Sequence, residues 1–151
     1  MLRLSKKADY ALIAMTHLTL KPGEGASSSA REIAERYDIP IELMAKVLQR
    51  LVRSGLLASH QGTRGGYQLG RAPDRISVAD VIQAIDGPLQ VTACSTDDEQ
   101  CDQFAKCNVR DPLWRIKERI LEALRSCTVA EIAADSAASG APVLVELGVK
   151  S

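Results

Sequence analysis

The stretch from Pro40 to Gly55 constrains the fold of this chain more than any other. It places Met44, Val47, Leu48 and Leu51 at the i, i+3, i+4, i+7 spacing of a single helical face. Glu42, Lys46, Gln49, Arg50 and Arg53 fall on the other face, so this helix must bury one side and offer the other to a polar environment. Asp38-Ile39-Pro40 makes a turn just before it, with Pro40 suited to the first helical position, and Gly55 supplies the C-cap. A shorter helix precedes the turn. Ser29 stands three residues before Glu32, the spacing of a capping box, and Ala30, Ile33, Ala34 and Tyr37 form the inner face. After Gly55 come two short strands, 56–60 and 67–69, joined by the hairpin tip Gln61-Gly62-Thr63-Arg64-Gly65-Gly66.

A short helix, a tight turn, an amphipathic helix and a hairpin make a winged helix-turn-helix. The expected fold class is therefore mainly α, with a two-stranded wing. A helix roughly 10–12 Å across fills a DNA major groove about 12 Å wide. Its apolar side must then pack on the preceding helix, leaving the polar side for base edges and phosphates. Gln49 and Glu42 are the candidates for base contacts, and Lys46, Arg50 and Arg53 for charge. Arg64, among flexible glycines, can follow the backbone or enter the minor groove, and Ser29 at the start of the shorter helix completes the DNA-contacting set. A charged helical face is in most proteins simply solvated; the wing directly after the helix pair argues for DNA.

Charge distribution agrees. The net charge of zero divides into 12 Lys/Arg against 7 Asp/Glu in residues 1–76, and 7 against 12 in residues 77–151. The basic half can meet a polyanion. Aromatic residues make up only 3%, which counts against modules that stack unpaired bases. No run of 18 apolar residues offers a membrane span and no signal peptide is recognisable, so a cytoplasmic location is expected. Nor is there a paired-carboxylate, nucleophile–base or phosphate-loop arrangement, which excludes the common enzyme classes.

Around this unit the chain shows further helices. One carries Ala8, Ala11, Leu12, Met15 and Leu18 and stops before Lys21-Pro22-Gly23. Another is capped by Ser77 and Asp80, with Val78, Val81, Ile82 and Ile85 inside and Gly87-Pro88 at its end. A longer helix opens at Asp111-Pro112 and presents Leu113, Ile116, Ile120, Leu121 and Leu124 as one apolar stripe. Thr128 and Glu131 cap a last short helix. The expected organisation is a DNA-binding domain over 1–76, a cysteine loop and long helix over 77–135, and a flexible tail over 136–151.

Cys94, Cys101 and Cys107 lie in a stretch without sustained periodicity. In a cytosolic protein such a cluster suggests metal or redox chemistry before a structural disulfide. Zinc sites usually carry close Cys-x-x-Cys knuckles, which are missing here. Wider spacing suits an iron–sulfur cluster, although three thiolates are one short of the usual four. Cys127, near Leu124, Val129 and Ile132, is simplest as a small buried hydrophobe.

The opening Leu2-Arg3-Leu4-Ser5-Lys6-Lys7-Ala8-Asp9-Tyr10-Ala11, the helix end Leu48-Gln49-Arg50-Leu51, Gly55-Leu56-Leu57 and the wing 62–69 resemble the IscR/NsrR family of bacterial repressors. So do Ser77-Val78-Ala79-Asp80-Val81-Ile82 and the cysteine loop running into Leu113-Trp114; the likeness spans about residues 2–135. It implies a homodimer crossing through the long helix, here 112–126, that binds a near-palindromic double-stranded operator. It also implies a 2Fe–2S or 4Fe–4S cluster held by Cys94, Cys101 and Cys107. Members nearest IscR add a histidine three residues after the third cysteine; this chain has Arg110 there, and neither His17 nor His60 is close in sequence. Another branch takes an aspartate from the first helix of the other subunit. The partner subunit's Asp9 matches that place, as a hard and easily lost ligand; Asp9 equally suits the positive N-terminus of its own helix. The first residues most resemble the branch that controls SUF cluster-assembly genes. A nitric-oxide-responsive or thiol-redox-responsive repressor of the same fold is the alternative.

Overall fold

The computed structural model describes residues 4–23, 25–61, 65–89 and 110–139. In chain order the elements are α1 (Lys6–Leu20), α2 (Ala30–Arg36), α3 (Ile41–Arg53), β1 (Leu57–His60), β2 (Gly66–Leu69), a 3-10 turn (Pro73–Arg75), α4 (Val78–Asp86), α5 (Arg110–Ser126) and α6 (Val129–Ala138). This is a mainly helical winged helix-turn-helix, as the sequence pattern predicts.

The helix ends follow local chemistry. Ser5 caps α1 by accepting from the Ala8 amide at 3.1 Å, an N-cap absent from the sequence reading. The boxes at Ser77–Asp80 and Thr128–Glu131 are both complete and reciprocal. At α2 only half of the expected box forms. Ser29 Oγ accepts from the Glu32 amide at 3.1 Å, but Glu32 Oε2 turns to Lys21 Nζ, 3.2 Å away. Pro40 is the N-cap of α3, one place before the expected first helical position, and makes no side-chain cap. Gly55, with φ of +78°, follows the C-cap Ser54 in the left-handed region that a residue without Cβ enters freely. α5 starts at Arg110, which draws Asp111 and Pro112 into its first turn.

β1 and β2 pair antiparallel with Leu57 opposite Leu69 and His60 opposite Gly66. A stub at Ser28 extends the sheet on its other edge: Tyr67 N–H donates to Ser28 O at 2.8 Å, and Ser28 N–H to Tyr67 O at 3.0 Å. The wing is thereby hydrogen-bonded to the residue that precedes the N-cap of α2.

The core gathers Met15 from α1, Ile33 from α2, Met44, Val47, Leu48 and Leu51 from α3, Leu56, Ile76, and Val81 from α4. Val129 of α6 joins the same cluster. α6 returns to pack on α1, and an isolated bridge between Ser77 and Thr128 sets the starts of α4 and α6 side by side. α5 contributes Leu121 to the interior. Trp114 and Ile116 on the same helix are 41% and 50% exposed, while Leu113, Ile120 and Leu124 are half-buried.

Candidate nucleic-acid interface

α3 is 13 residues long, or about 20 Å at 1.5 Å per residue. Its buried side, Met44, Val47, Leu48 and Leu51, locks it against α1 and α2. Glu42, Lys46, Gln49, Arg50 and Arg53 are all exposed. The structure thus sets the five α3 candidates on the outer side of one rigid helix, within a single fold unit.

Two concavities flank this helix. The larger, about 670 Å³, lies between α3 and the wing and is lined by Ser29, Gln49, Arg53, His60, Gln61 and Tyr67 among others. The smaller, about 250 Å³, lies on the other flank and is lined by Lys7, Lys46, Arg50, Arg53, Gln49, Val47 and Ile85. Gln49 and Arg53 line both, so they stand on the crest between them. Glu42 sits in the first turn of α3 and lines neither. Arg64 lies outside the described residues.

A hydrogen-bond network builds the wing side of the interface. Lys21 Nζ donates to Ser27 O at 2.6 Å and to Ser28 Oγ at 3.0 Å. Since Ser28 Oγ accepts from lysine, its own hydrogen is available to His17 Nε2, 3.2 Å away; His17 Nδ1 then donates to Tyr37 Oη at 3.0 Å. This arrangement suits neutral His17. Burial, then the positive charges of Lys21 and Arg36, lower its pKa from 6.5, against a smaller opposing pull from Glu32. Ser29, half-buried beside this network, spends one lone pair on the Glu32 amide and keeps its hydroxyl hydrogen for another acceptor.

Arg50 occupies a double position. Its Nη1 donates to the Ile85 carbonyl at 2.6 Å in the last turn of α4, while the side chain stays exposed beside Lys46 and Arg53. One residue on, Asp86 takes the Ser5 hydroxyl at 2.5 Å and the Ser5 amide at 3.2 Å. The end of α4 is therefore held by both α3 and the start of α1. These ties were absent from the sequence reading, because they join groups 35 and 81 residues apart.

Cys94, Cys101 and Cys107 lie outside the described residues. Asp9 lies in the first turn of α1, is exposed, and its carboxylate has no partner among the described residues. No group of three His, Cys, Asp or Glu able to hold a metal ion occurs among the described residues. Cys127 is half-buried, with its thiol pKa raised by burial and by the nearby carboxylates of Glu131 and Asp135. Burial and those carboxylates both disfavour a reactive thiolate.

A helix pair with a wing, and basic and polar side chains on the outer helix, defines a winged helix-turn-helix of the class that binds DNA. Comparison with known proteins narrows the class. The signature of the Rrf2 family, described as an iron-dependent transcriptional regulator, matches residues 4–135. The chain is 38% identical over 132 residues to the HTH-type transcriptional regulator IscR of Erwinia tasmaniensis, covering 87% of this chain and 78% of that one. The solved structure of CymR, the global cysteine regulator of B. subtilis, superposes with a TM-score of 0.72 at 31% identity, covering 89% of this chain and 98% of that one. That of T. potens IscR gives 0.68 at 31% identity, with 89% and 88% covered. This chain belongs to the Rrf2 family of transcriptional regulators, of the IscR type.

Proposed function

We propose that this protein is a homodimeric, iron–sulfur-cluster-sensing repressor acting in the cytoplasm on the genes of SUF-type cluster assembly. The observation that carries the sensing half is the joint at the end of α4. The recognition helix grips Ile85 through Arg50, and α1 grips Asp86 through Ser5. The segment bearing Cys94, Cys101 and Cys107 follows that joint in sequence. A change of state at the cysteines would reach α3, the helix read here as meeting DNA, through this joint.

Three thiolates form a soft donor set matched to an iron–sulfur cluster, and Asp9, exposed on α1 of this chain, is the residue that a second copy would supply to complete it. Bound there, a cluster supplies a crosslink that oxidants or nitric oxide can break. The residues of this chain do the rest: Gln49 and Glu42 meet base edges, Lys46, Arg50 and Arg53 supply charge, Ser29 contacts DNA at the start of α2, and Arg64 follows the backbone or enters the minor groove. Outward-facing Trp114 and Ile116 on α5 support pairing with a second copy. Two winged domains must match half-sites about 34–36 Å apart, so a small rotation at the joint is enough to spoil simultaneous docking. A coupling of roughly 1–3 kcal/mol gives a ~5–150-fold response.

Anaerobic purification with iron, sulfide and visible absorption measured per chain tests the reading. Bound iron and sulfide, lost together with the ligand-dependent change in operator affinity in a C94A/C101A/C107A variant, is the expected result. An iron-free protein that releases DNA reversibly on thiol oxidation would instead assign it to the thiol-redox alternative.

A further inference from the structure

The recess on the flank of α3 away from the wing brings together Lys7, Lys46, Arg50 and Arg53, and among the described residues no carboxylate lines it. Lys7 arrives there from a different helix. α1 packs on α3 and α4, and the two hydrogen bonds between Ser5 and Asp86 hold its first turn beside Ile85. Lys7, Lys46 and Arg53 are exposed, and none has an ion-pair partner among the described residues. Arg50 is already oriented by the Ile85 carbonyl, which fixes its charge at the wall of the recess. Gathering like charges raises the electrostatic free energy of the unoccupied recess, and an anion seated among them relieves it.

We propose that this recess seats a backbone phosphate of duplex DNA, with Lys7 as a sequence-independent phosphate contact. The proposal rests on the DNA-binding reading. It adds to that reading a second backbone contact region, on the strand opposite the one facing the wing. The geometry requires two such regions. A major groove is bounded by a phosphate backbone on each side, and a helix about 10–12 Å across that fills it brings both flanks within reach. Gln49 and Arg53 on the crest point between the strands, the wing and Ser29 serve one side, and Lys7 with Lys46 serves the other. A phosphate contact fixes register and carries no base information.

The test uses the full-length protein and two duplexes: one of random sequence, and one selected from a random pool by the wild type. Affinity is measured against salt for wild type, Lys7→Gln, Lys7→Arg and Lys6→Gln. Lys6 is the control, since its ammonium lies 5.8 Å over the Tyr10 ring and does not line the recess. Losing one phosphate contact lowers the log–log salt slope by about 0.9. The expected result is that drop for Lys7→Gln on both duplexes, restoration by Lys7→Arg, and less than half the change for Lys6→Gln. An unchanged Lys7→Gln slope beside a salt-dependent wild type overturns the phosphate seat and leaves the DNA reading standing. A wild type that binds neither duplex in a salt-dependent way overturns the DNA reading itself.

Discussion

Arg50 donates from Nη1 to the carbonyl oxygen of Ile85 at 2.6 Å, fastening α3 to the last turn of α4. A charged donor on a backbone carbonyl that has no helical partner forms one of the stronger single hydrogen bonds in a fold of this kind. Arg50→Leu should lower stability by about 1 kcal/mol. This is below the usual ~1.5–3 kcal/mol for a charged hydrogen bond because the side chain is exposed. Urea unfolding of the purified variant measures the loss. Arg50→Lys should recover only part of it, since an ammonium does not reproduce the reach and planar fork of the guanidinium.

Gly66 lies where the wing meets the start of α2. A Cβ there would sit 2.7 Å from Ser28 O and 2.8 Å from Ser28 C, both backbone atoms that cannot turn aside. Gly66→Ala should therefore force the Ser28–Tyr67 bridge apart, costing roughly 1–3 kcal/mol. The fold should survive with faster amide exchange at Tyr67 and Ser28. A variant as stable as wild type, with protection at both amides unchanged, would contradict this account of the wing anchor.

The lowered pKa of His17 gives a definite sign to the pH dependence. The unfolded histidine titrates near 6.5 and the folded one lower, so the unfolded chain binds the proton more readily. Stability from neutral His17 is fully present above pH 6.5 and is lost as the pH falls through the folded value. One proton limits the slope to about 1.4 kcal/mol per pH unit. In chemical unfolding series from pH 7.5 to 5, His17→Gln should show a shallower decline than wild type.

Ile116 is half exposed on α5 and Trp114 nearly so, while Lys117 beside them is 8% exposed with its ammonium 4.1 Å over the Trp114 ring. An apolar stripe of this kind is stabilised when a second surface removes it from water, at roughly 25 cal/mol per Å². Ile116→Glu should convert a dimer into monomer in sedimentation velocity without lowering helix content. The same change should weaken binding to a two-half-site duplex far more than to a single half-site.

Much of the fold was legible in local pattern. The stripe Met44, Val47, Leu48 and Leu51 is buried along its whole length, and Ser77, Thr128 and Gly55 sit at the helix boundaries their chemistry implies. Glu32 departed from its expected box because Lys21, eleven residues earlier, offered a charged partner that the capping pattern does not contain. The exposure of the α3 candidates was legible for the same reason as the core: one helical period settles both faces at once. The structure adds what each one meets. Glu42 lines neither flank of α3, Gln49 and Arg53 share the crest, and Arg50 is tied to α4.

Periodicity, capping and turn chemistry act over three to seven residues, and through them the sequence by itself determined the order of helices, the wing and the polar face of α3. Their positions relative to one another were decided only by tertiary packing. Lys7 lies beside Lys46 because α1 packs across α3, and Ser28 pairs with Tyr67 because the wing folds back on the start of α2. The end of α4 meets Ser5 and Arg50 because helices from distant parts of the chain bury one shared core. Hydrophobic burial is non-directional, so no local pattern names the partner. Which polar groups come within 3 Å of each other is fixed only once the core has chosen the packing.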